Sequence, residues 1–501
     1  KPVAPDAWDY PFEATGFASA CVPHAKDAIH SSAPVSEDCL YLNVIRPERK
    51  EGDALLPVLF YIHGGGYEIG SAALYGYKCD PKNEASGVWA FAKDYAPHGV
   101  IVVSIQYRLG VYGFASLGDV DGFRGNYGLF DQAAALNWTH TNIEALGHLC
   151  WRSIRIAALT LAPDATHGGR IDRDVRCRAC LKKKSVDEIF EGVEQVEPSD
   201  FSINFIKWGP RIDGEFAPAP YEELAKSAPK IPILLGVHTH EAAYFTLWNR
   251  APTIHRMAID ANGHQYFGRK VFEKYIRMFF REFLPEDEVE AAVELTINFY
   301  VGPPKGEEKT TMPDYDRLDK EAGFHLEQYS HFWSDLLFTV AARARALDAK
   351  ARGQNVYLYL FKHYSKELFN EFDRFQGSFH VNEVPYLMDL QVLKPFKWTD
   401  AELKMKDRAH QMMISFVKNG KPTVDNVVWP DLSVPDPTGT PFVVMKMPKW
   451  ELFSGFYQKI GTFWLETMQQ FSWDFVRMRP TERVQQHQIP APPTVKDHEE
   501  L

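Results

Sequence analysis

The sequence predicts an α/β fold built around a mostly parallel β-sheet, and three observations support this prediction. Residues 58–62 and 100–108 are largely apolar runs, as expected for strands that are covered on both faces of a parallel sheet. From residue 129 to residue 142, apolar side chains recur with a helical period. The strand at residues 58–62 leads directly into His63-Gly64-Gly65-Gly66, where consecutive glycines let the backbone turn sharply. Buried strands that alternate with turns and helices indicate the α/β class.

The remaining elements follow in chain order. Residues 1–35 are rich in Pro, Ala and Ser and are expected to form loops and short edges. In the next segment Leu40, Leu42 and Val44 alternate with more polar side chains and Pro47 ends the run, which predicts a strand. We expect residues 1–477 to form a single domain. Residues 478–501 are rich in Pro, Gln and charge, which predicts a flexible tail.

The composition argues against several classes of partner. The chain has 501 residues, of which 45% are hydrophobic, enough for a large core. Its net charge of −11 argues against nucleic acid and anionic membrane surfaces. No apolar run approaches the roughly 20 residues that span a bilayer, so no transmembrane segment is predicted. The chain starts at Lys1 and shows no signal peptide, and we expect its true N-terminus to be missing.

The glycine triplet after the first strand has a chemical interpretation. Without a Cβ atom, the backbone N–H groups of such a turn approach a ligand closely. N–H groups held in place stabilise the negative oxygen that forms when an ester or amide carbonyl is attacked. A strand followed by His-Gly-Gly-Gly therefore predicts an oxyanion hole at Gly65 and Gly66. The alternative is a glycine-rich turn in an unrelated α/β protein.

Several blocks of sequence, taken together, resemble the type B carboxylesterases, the family of the cholinesterases and the juvenile hormone esterases. The resemblance extends from about Cys21 to about Trp473 and keeps the order of the family's blocks, which makes it more specific than one motif. It implies an α/β-hydrolase fold, a large mixed, mostly parallel sheet with helices on both faces, here with the N-terminal strands and the elbow region incomplete. The blocks are residues 37–47, 63–67, 106–114, 125–138, 209–216, 233–241, 377–386, 416–422 and 429–430.

By this resemblance, Glu241 is the catalytic acid and His380 the catalytic base. Ester hydrolysis of this kind needs a nucleophile, a base that takes its proton and an acid that orients the base. Without the resemblance, Glu241 would be interpreted as a solvated loop carboxylate and His380 as an ordinary loop or core imidazole. The resemblance implies small-molecule ester substrates and no metal or organic cofactor. Tyr67, Phe245 and Trp248 would line an apolar gorge or belong to the core.

The nucleophile is missing from the sequence. The family carries a serine within Gly-x-Ser-x-Gly on a strained turn between strand and helix, and this chain contains no Gly-x-Ser-x-Gly. After Gly147 the sequence departs from the family, so we expect a disruption over about residues 148–176. Ser153 has bulky Trp151 and Arg155 two residues to either side, and Thr160 is β-branched, which disfavours the positive φ of an elbow. Ser71 and Ser378 lie in the oxyanion loop and the base loop, not on an elbow. Residues 152–156 are a possible replacement for the strand before the elbow.

The cysteines predict one disulfide bond and half of another. Cys21 and Cys39 resemble the first disulfide of the family, and Cys180 resembles half of the next one, its usual partner lying upstream in the shortened region. Cys177-x-x-Cys180 as a redox or zinc motif is disfavoured, because no second ligand pair lies nearby.

The last four residues give an independent indication. His498-Glu499-Glu500-Leu501 resembles the signals that a retrieval receptor of the endoplasmic reticulum recognises. The alternative is a chance acidic ending. A location in the lumen of the endoplasmic reticulum, or elsewhere in the secretory pathway, is therefore predicted.

Three functional interpretations remain open from sequence alone. The first is a serine carboxylesterase whose nucleophile segment is absent from this chain, which would then be inactive as written. The second is a non-catalytic, cholinesterase-like binding or adhesion protein, as the neuroligins are in this family. The third is a product that does not fold. The sequence does not predict the substrate or the oligomeric state.

Overall fold

The computed structural model describes most of the chain. The described residues are 1–6, 9–11, 13–14, 16–23, 34–48, 55–72, 91–116, 124–144, 154–158, 183–195, 208–247, 257–303, 315–369, 377–389, 395–433 and 439–481. Within them lie the strands β1 (Ala20–Cys21), β2 (Val35–Ser36), β3 (Leu42–Ile45), β4 (Val58–Ile62), β5 (Ile101–Ile105), β6 (Ile154–Ala158), β7 (Ile233–His238), β8 (Val356–Phe361), β9 (Thr423–Val424), β10 (Val427–Val428), β11 (Phe442–Met445), β12 (Glu451–Phe453), β13 (Trp473–Asp474) and β14 (Arg479–Pro480).

The N-terminal sheet has the strand order β3-β5-β4-β6. Strand β4 is parallel to β5 on one side and to β6 on the other, and β3 is antiparallel to β5. All five residues of β4 are buried, and its alternate side chains enter two different core clusters. The prediction that this strand is covered on both faces is confirmed, because a period of two sends successive side chains to opposite faces.

The C-terminal sheet has the order β12-β11-β8-β7. Strands β7, β8 and β11 are parallel neighbours, and β12 adds an antiparallel edge. The sheets are thus mixed and mostly parallel, as predicted. Among the described residues, the remaining strands form three two-stranded pairs, β1-β2, β9-β10 and β13-β14.

The helices account for much of the rest. The α-helices are α1 (Gly110–Phe114), α2 (Tyr127–Asn142), α3 (Val186–Gln195), α4 (Tyr221–Lys226), α5 (Ala243–Leu247), α6 (Arg269–Phe280), α7 (Glu286–Tyr300), α8 (Tyr315–Ser334), α9 (Val340–Ala351), α10 (Val384–Met388), α11 (Asp400–Asn419) and α12 (Gln458–Leu465). The π-helical segment Asp335–Thr339 joins α8 to α9. Shorter π- or 3₁₀-helical turns are Phe91–Tyr95, Ala96–His98, Ala261–Tyr266, Lys366–Phe369 and Thr467–Gln470. Of the described helices, none is both long and apolar enough to cross a bilayer.

One large hydrophobic cluster connects the two sheets. It contains Leu59 and Tyr61 from β4 and Tyr357 and Phe361 from β8, together with apolar side chains of α6, α7 and α11. A second cluster covers the opposite face of β4 with side chains from β5 and α2. The two sheets therefore share a core, and residues from distant parts of the chain hold the loops after β4 and β7 in place.

Several predicted elements are observed close to their expected positions. Helix α2 begins two residues before the predicted start, at Tyr127, and β5 ends at Ile105. The replacement strand predicted at residues 152–156 is observed as β6, and Cys21 and Cys39 form a disulfide. The antiparallel pair of β13 and β14 continues to Pro480, three residues beyond the predicted end of the domain at residue 477.

Candidate active site

The glycine triplet forms a tight turn immediately after β4. Gly65 and Gly66 have φ angles of 120° and 61°, and the carbonyl oxygen of Gly65 accepts hydrogen bonds from the N–H groups of Glu68 and Ile69 at 3.1 and 3.0 Å. A Cβ on Gly65 would lie 2.3 Å from the Ile69 carbonyl oxygen, so only glycine fits. Within the described part of the chain, neither Gly65 nor Gly66 uses its N–H in a hydrogen bond.

The buried side chain of His63 packs next to this turn. The His63 ring stacks on Tyr107 with the ring centroids 4.4 Å apart, and the Tyr107 hydroxyl donates to the His63 carbonyl at 2.9 Å. Burial lowers the pKa of His63 to about 4, although a backbone hydrogen bond to Gly64 acts in the opposite direction. His63 is therefore neutral at physiological pH and packs against the turn.

The structure brings Glu241 and His380 into contact. Glu241 follows β7 by three residues, and His380 lies in the loop before α10. The Glu241 Oε2 atom is 2.9 Å from His380 Nδ1, and the His380 N–H donates to the Glu241 carbonyl at 3.3 Å. Glu241 is 1% exposed, whereas the His380 side chain is 27% exposed. A buried carboxylate on Nδ1 leaves Nε2 as the outward nitrogen of the imidazole, which is the geometry a general base needs.

Aromatic rings hold the His380 ring from the side. The centroids of Phe338 and Phe245 lie 5.1 and 5.4 Å from that of His380. Phe338 belongs to the π-helical segment between α8 and α9, and Phe245 belongs to α5, directly after Glu241. Contact between aromatic faces and edges restricts the orientation of the imidazole.

The second oxygen of Glu241 is held by a residue that sequence reasoning missed. Glu241 Oε1 accepts the backbone N–H of His238 at 2.8 Å and lies 2.9 Å from His238 Nδ1. Burial alone would raise the pKa of Glu241, but the charge and hydrogen bonds of His238, together with the hydrogen bond of His380, bring it well below its usual range. Glu241 is therefore an anion throughout the physiological range, as an acid that orients a base must be.

His238 in turn contacts a second buried carboxylate. Its Nε2 lies 2.7 Å from Glu383 Oε2. Although burial disfavours its charged form, Glu383 and Glu241 raise the pKa of His238 to about 10. The four side chains form a row, Glu383–His238–Glu241–His380. The spacing His-x-x-Glu occurs at residues 238–241 and again at 380–383. In the folded chain His238 contacts both glutamates, and His380 contacts Glu241.

The other candidate residues have different positions. Ser378 is buried, and its N–H and carbonyl oxygen both bond to Thr239, so it serves to join the two loops. Strand β6 pairs with β4 and brings residue 158 opposite Ile62. Ser153, Thr160 and most of residues 148–176 lie outside the described residues, as do Cys150, Cys177, Cys180 and Trp248.

Known proteins resemble this chain over most of its length. A model of the carboxylesterase family matches residues 1–148 and 165–450. "Gut esterase 1" of Caenorhabditis elegans is 31% identical over 526 residues, covering 95% of this chain and 88% of that protein. "Cholinesterase" of Mus musculus is 26% identical over 525 residues, covering 93% and 79%. "Para-nitrobenzyl esterase" of Bacillus subtilis is 25% identical over 484 residues, covering 86% and 84%.

Two features of these matches concern the missing nucleophile. The family model leaves out residues 149–164, within the segment where the sequence departs from the family. The alignment to gut esterase 1 is longer than the 501 residues of this chain, so that relative has segments that this chain lacks. The match over most of its length shows that this chain belongs to the carboxylesterase family and has its α/β-hydrolase fold.

Proposed function

We propose that this chain carries the acid–base pair and the oxyanion hole of a serine carboxylesterase. In this proposal His380 is the general base, Glu241 orients it, and the N–H groups of Gly65 and Gly66 bind the oxyanion. The contact of 2.9 Å between Glu241 and His380, with the carboxylate buried and the imidazole partly exposed, is the observation that carries the proposal. Enzymes of this family act on small carboxylic esters.

The reaction needs a serine that this sequence does not supply on an elbow. With such a serine, His380 would take its proton, the hydroxyl oxygen would attack the ester carbonyl, and the alcohol would leave with a proton returned by His380. Water would then release the acid by the same steps in reverse order. As written, the 501-residue chain should form no acyl-enzyme. We therefore propose that this chain is inactive and that an active form of the same protein contains a Gly-x-Ser-x-Gly segment between Gly147 and residue 165.

Two measurements test this proposal directly. The purified chain is incubated with a fluorophosphonate probe and with a nitrophenyl ester, and we expect no covalent label and no hydrolysis above buffer. The transcript is sequenced across the codons for residues 140–185, where we expect a form with a longer interval and an elbow. That form, once expressed, should label and turn over, and replacing His380 with Ala in it should abolish both. Labelling of the 501-residue chain would contradict the inactivity.

The alternative is a non-catalytic binding protein of the same family, favoured by the absence of the elbow itself. It predicts that the transcript encodes only the 501-residue chain and that this chain folds. In that case the purified protein would unfold cooperatively in urea and would still bind no fluorophosphonate. Transcript sequencing separates this alternative from the enzyme.

We further propose that the protein resides in the lumen of the endoplasmic reticulum. The Cys21–Cys39 disulfide is compatible with an oxidising compartment, and His498-Glu499-Glu500-Leu501 would bind a retrieval receptor. Residues 498–501 lie outside the described residues. Deleting them should send the protein from the cell interior into the medium, and unchanged retention would refute the proposed signal.

A further inference from the structure

A second cluster of chemically active side chains lies beside the acid–base pair. It consists of His240, Glu327 and His331, whose nearest ligand atoms all lie within 4.8 Å of one another. His240 Nε2 is 3.2 Å from Glu327 Oε1, and the ring centroids of His240 and His331 are 4.4 Å apart. We call these three residues the His-Glu-His cluster.

Two separate parts of the fold build this cluster. Glu327 and His331 are four residues apart on α8, so they project from the same face of that helix. His240 lies in the loop after β7, where its N–H donates to the Ser378 carbonyl at 2.8 Å and its Nδ1 is 3.0 Å from Thr239 Oγ1. These contacts leave Nε2 as the nitrogen that faces α8.

The backbone around His240 is shaped to accept its ring. A Cβ on Gly377 would lie 2.0 Å from His240 Nδ1, so a side chain at that position would displace the imidazole. The His240 side chain is 8% exposed and that of Glu327 is 33% exposed. The cluster is therefore fixed on the side of the loop and open to solvent at Glu327, which gives an ion a route of entry.

The donor set suits a transition metal. Two imidazoles and one carboxylate are typical ligands of Zn²⁺ with an open fourth position, whereas Mg²⁺ and Ca²⁺ prefer oxygen alone. With Zn–N and Zn–O distances of about 2.1 Å, the ligand atoms of a tetrahedral site lie about 3.4 Å apart. The observed separations need a small closing movement, and the long, partly exposed side chain of Glu327 can supply it. The alternative is an ion pair of His240 with Glu327 and a ring contact of His331 with His240, without a metal.

We propose that the His-Glu-His cluster binds one Zn²⁺ ion, with water as the fourth ligand. The ion would fasten the loop after β7 to α8, because His240 is joined to the loop and the other two ligands to the helix. Glu241 is the next residue after His240, so the same ion would restrain the candidate catalytic acid. This site does not depend on a serine and would exist in the inactive chain as well.

The test uses the full chain with any affinity tag removed and with metals stripped by a chelator that is then dialysed away. Calorimetric titration with Zn²⁺ should give one ion per chain, and Co²⁺ should give the intense visible absorption of a tetrahedral site. Replacing His331 with Ala should abolish both signals. The milder Glu327→Gln keeps size and shape and should weaken binding at least about 10-fold.

The control is His325→Ala, since His325 lies on the same helix outside the cluster. This variant should bind Zn²⁺ and Co²⁺ as the original chain does. Zn²⁺ should also raise the melting temperature of the original chain and of His325→Ala, but not that of His331→Ala. The proposal is overturned if the original chain takes up no stoichiometric Zn²⁺, or if Glu327→Gln and His331→Ala retain the affinity and the cobalt spectrum of the control.

Discussion

The proposed acid–base half of the site and the proposed nucleophile half are preserved to different degrees. On the acid–base side, the loop after β7 and the loop before α10 are joined through Glu241, Thr239 and Ser378 by hydrogen bonds of 2.8 to 3.3 Å. On the nucleophile side, β6 forms five parallel residue pairs with β4, yet its sequence departs from the family, and the chain contains no Gly-x-Ser-x-Gly.

This difference shows that an unrelated segment can replace some features of the fold but not others. A ladder of backbone hydrogen bonds needs only residues that tolerate an extended conformation, so a new segment can fill the place of a strand. An elbow needs a nucleophile between small residues at a strained turn. A replacement segment fulfils these requirements only by coincidence. The row Glu383–His238–Glu241–His380 is held by its own charges, and we expect it to persist without the serine.

The largest effect should come from removing the central cation of that row. Replacing His238 with Leu leaves Glu241 and Glu383 buried without the positive charge between them, so we expect the free energy of unfolding at pH 7 to fall by about 3 to 5 kcal/mol. Urea unfolding followed by tryptophan fluorescence measures the change. Adding Glu383→Gln to the His238→Leu variant should recover part of the loss, because one of the two unpaired carboxylates is removed.

The exposed His98 at the end of a 3₁₀ turn provides the control for this experiment. His98→Ala should change the free energy of unfolding by less than about 0.5 kcal/mol. If His238→Leu proves equally harmless, the row contributes nothing to stability, and the acid–base half depends on packing alone.

The buried carboxylate of Asp335 sharpens the comparison, because its hydrogen-bond partner is a neutral hydroxyl instead of a cation. Asp335 lies in the π-helical segment that also carries Phe338, and it accepts a hydrogen bond from the Tyr300 hydroxyl at 2.9 Å. Burial raises the pKa of Asp335 to about 7, against hydrogen bonds that act in the opposite direction. Glu241 is equally buried, but its neighbouring histidine has the opposite effect on its pKa.

The direction of the pH dependence follows from this raised pKa. Between about pH 4 and pH 7 the folded chain binds a proton at Asp335 that the unfolded chain has lost, so stability is fully present below pH 4 and falls as the pH rises through 7. The loss is at most about 4 kcal/mol. Asp335→Asn should remove this component, measured as the difference in urea unfolding between pH 5 and pH 8.

The matched substitution Asp407→Asn, on an exposed position of α11, should leave that difference as it is in the original chain. An Asp335→Asn variant with the original pH dependence would mean that the buried carboxyl group titrates normally. The contrast with Glu241 would then have no electrostatic basis.

Much of the architecture was predictable, because periodicity and glycine turns are local signals. The apolar run of β4, the helix α2 and the strand β6 were each predicted within two residues of their observed bounds. The order of the strands within the sheets was not predictable, since strand pairing depends on contacts between distant segments.

Some residues of the candidate site were predictable from the sequence, and others were not. Glu241 and His380 followed from family resemblance, and Gly65 and Gly66 followed from the strand and glycine triplet. The catalytic roles of these residues remain predictions. His238 and the His-Glu-His cluster did not follow, because neighbours such as Glu383 and Glu327 lie far along the chain and only the folded structure brings them together. A repeated His-x-x-Glu spacing was visible, but spacing alone does not say which glutamate meets which histidine.

The smallest expected effect tests whether the glycine turn belongs to the preserved half. Gly65→Ala places a Cβ 2.3 Å from the Ile69 carbonyl oxygen at a φ of 120°, so the turn must open, and we expect a loss of about 2 kcal/mol in the free energy of unfolding. Gly263→Ala is the control, because its Cβ would meet nothing closer than 3.8 Å. If both variants are equally stable, the turn already yields without cost. The turn would then not fix the N–H groups of Gly65 and Gly66 in place for an oxyanion. Only the row Glu383–His238–Glu241–His380 would then belong to the preserved acid–base half.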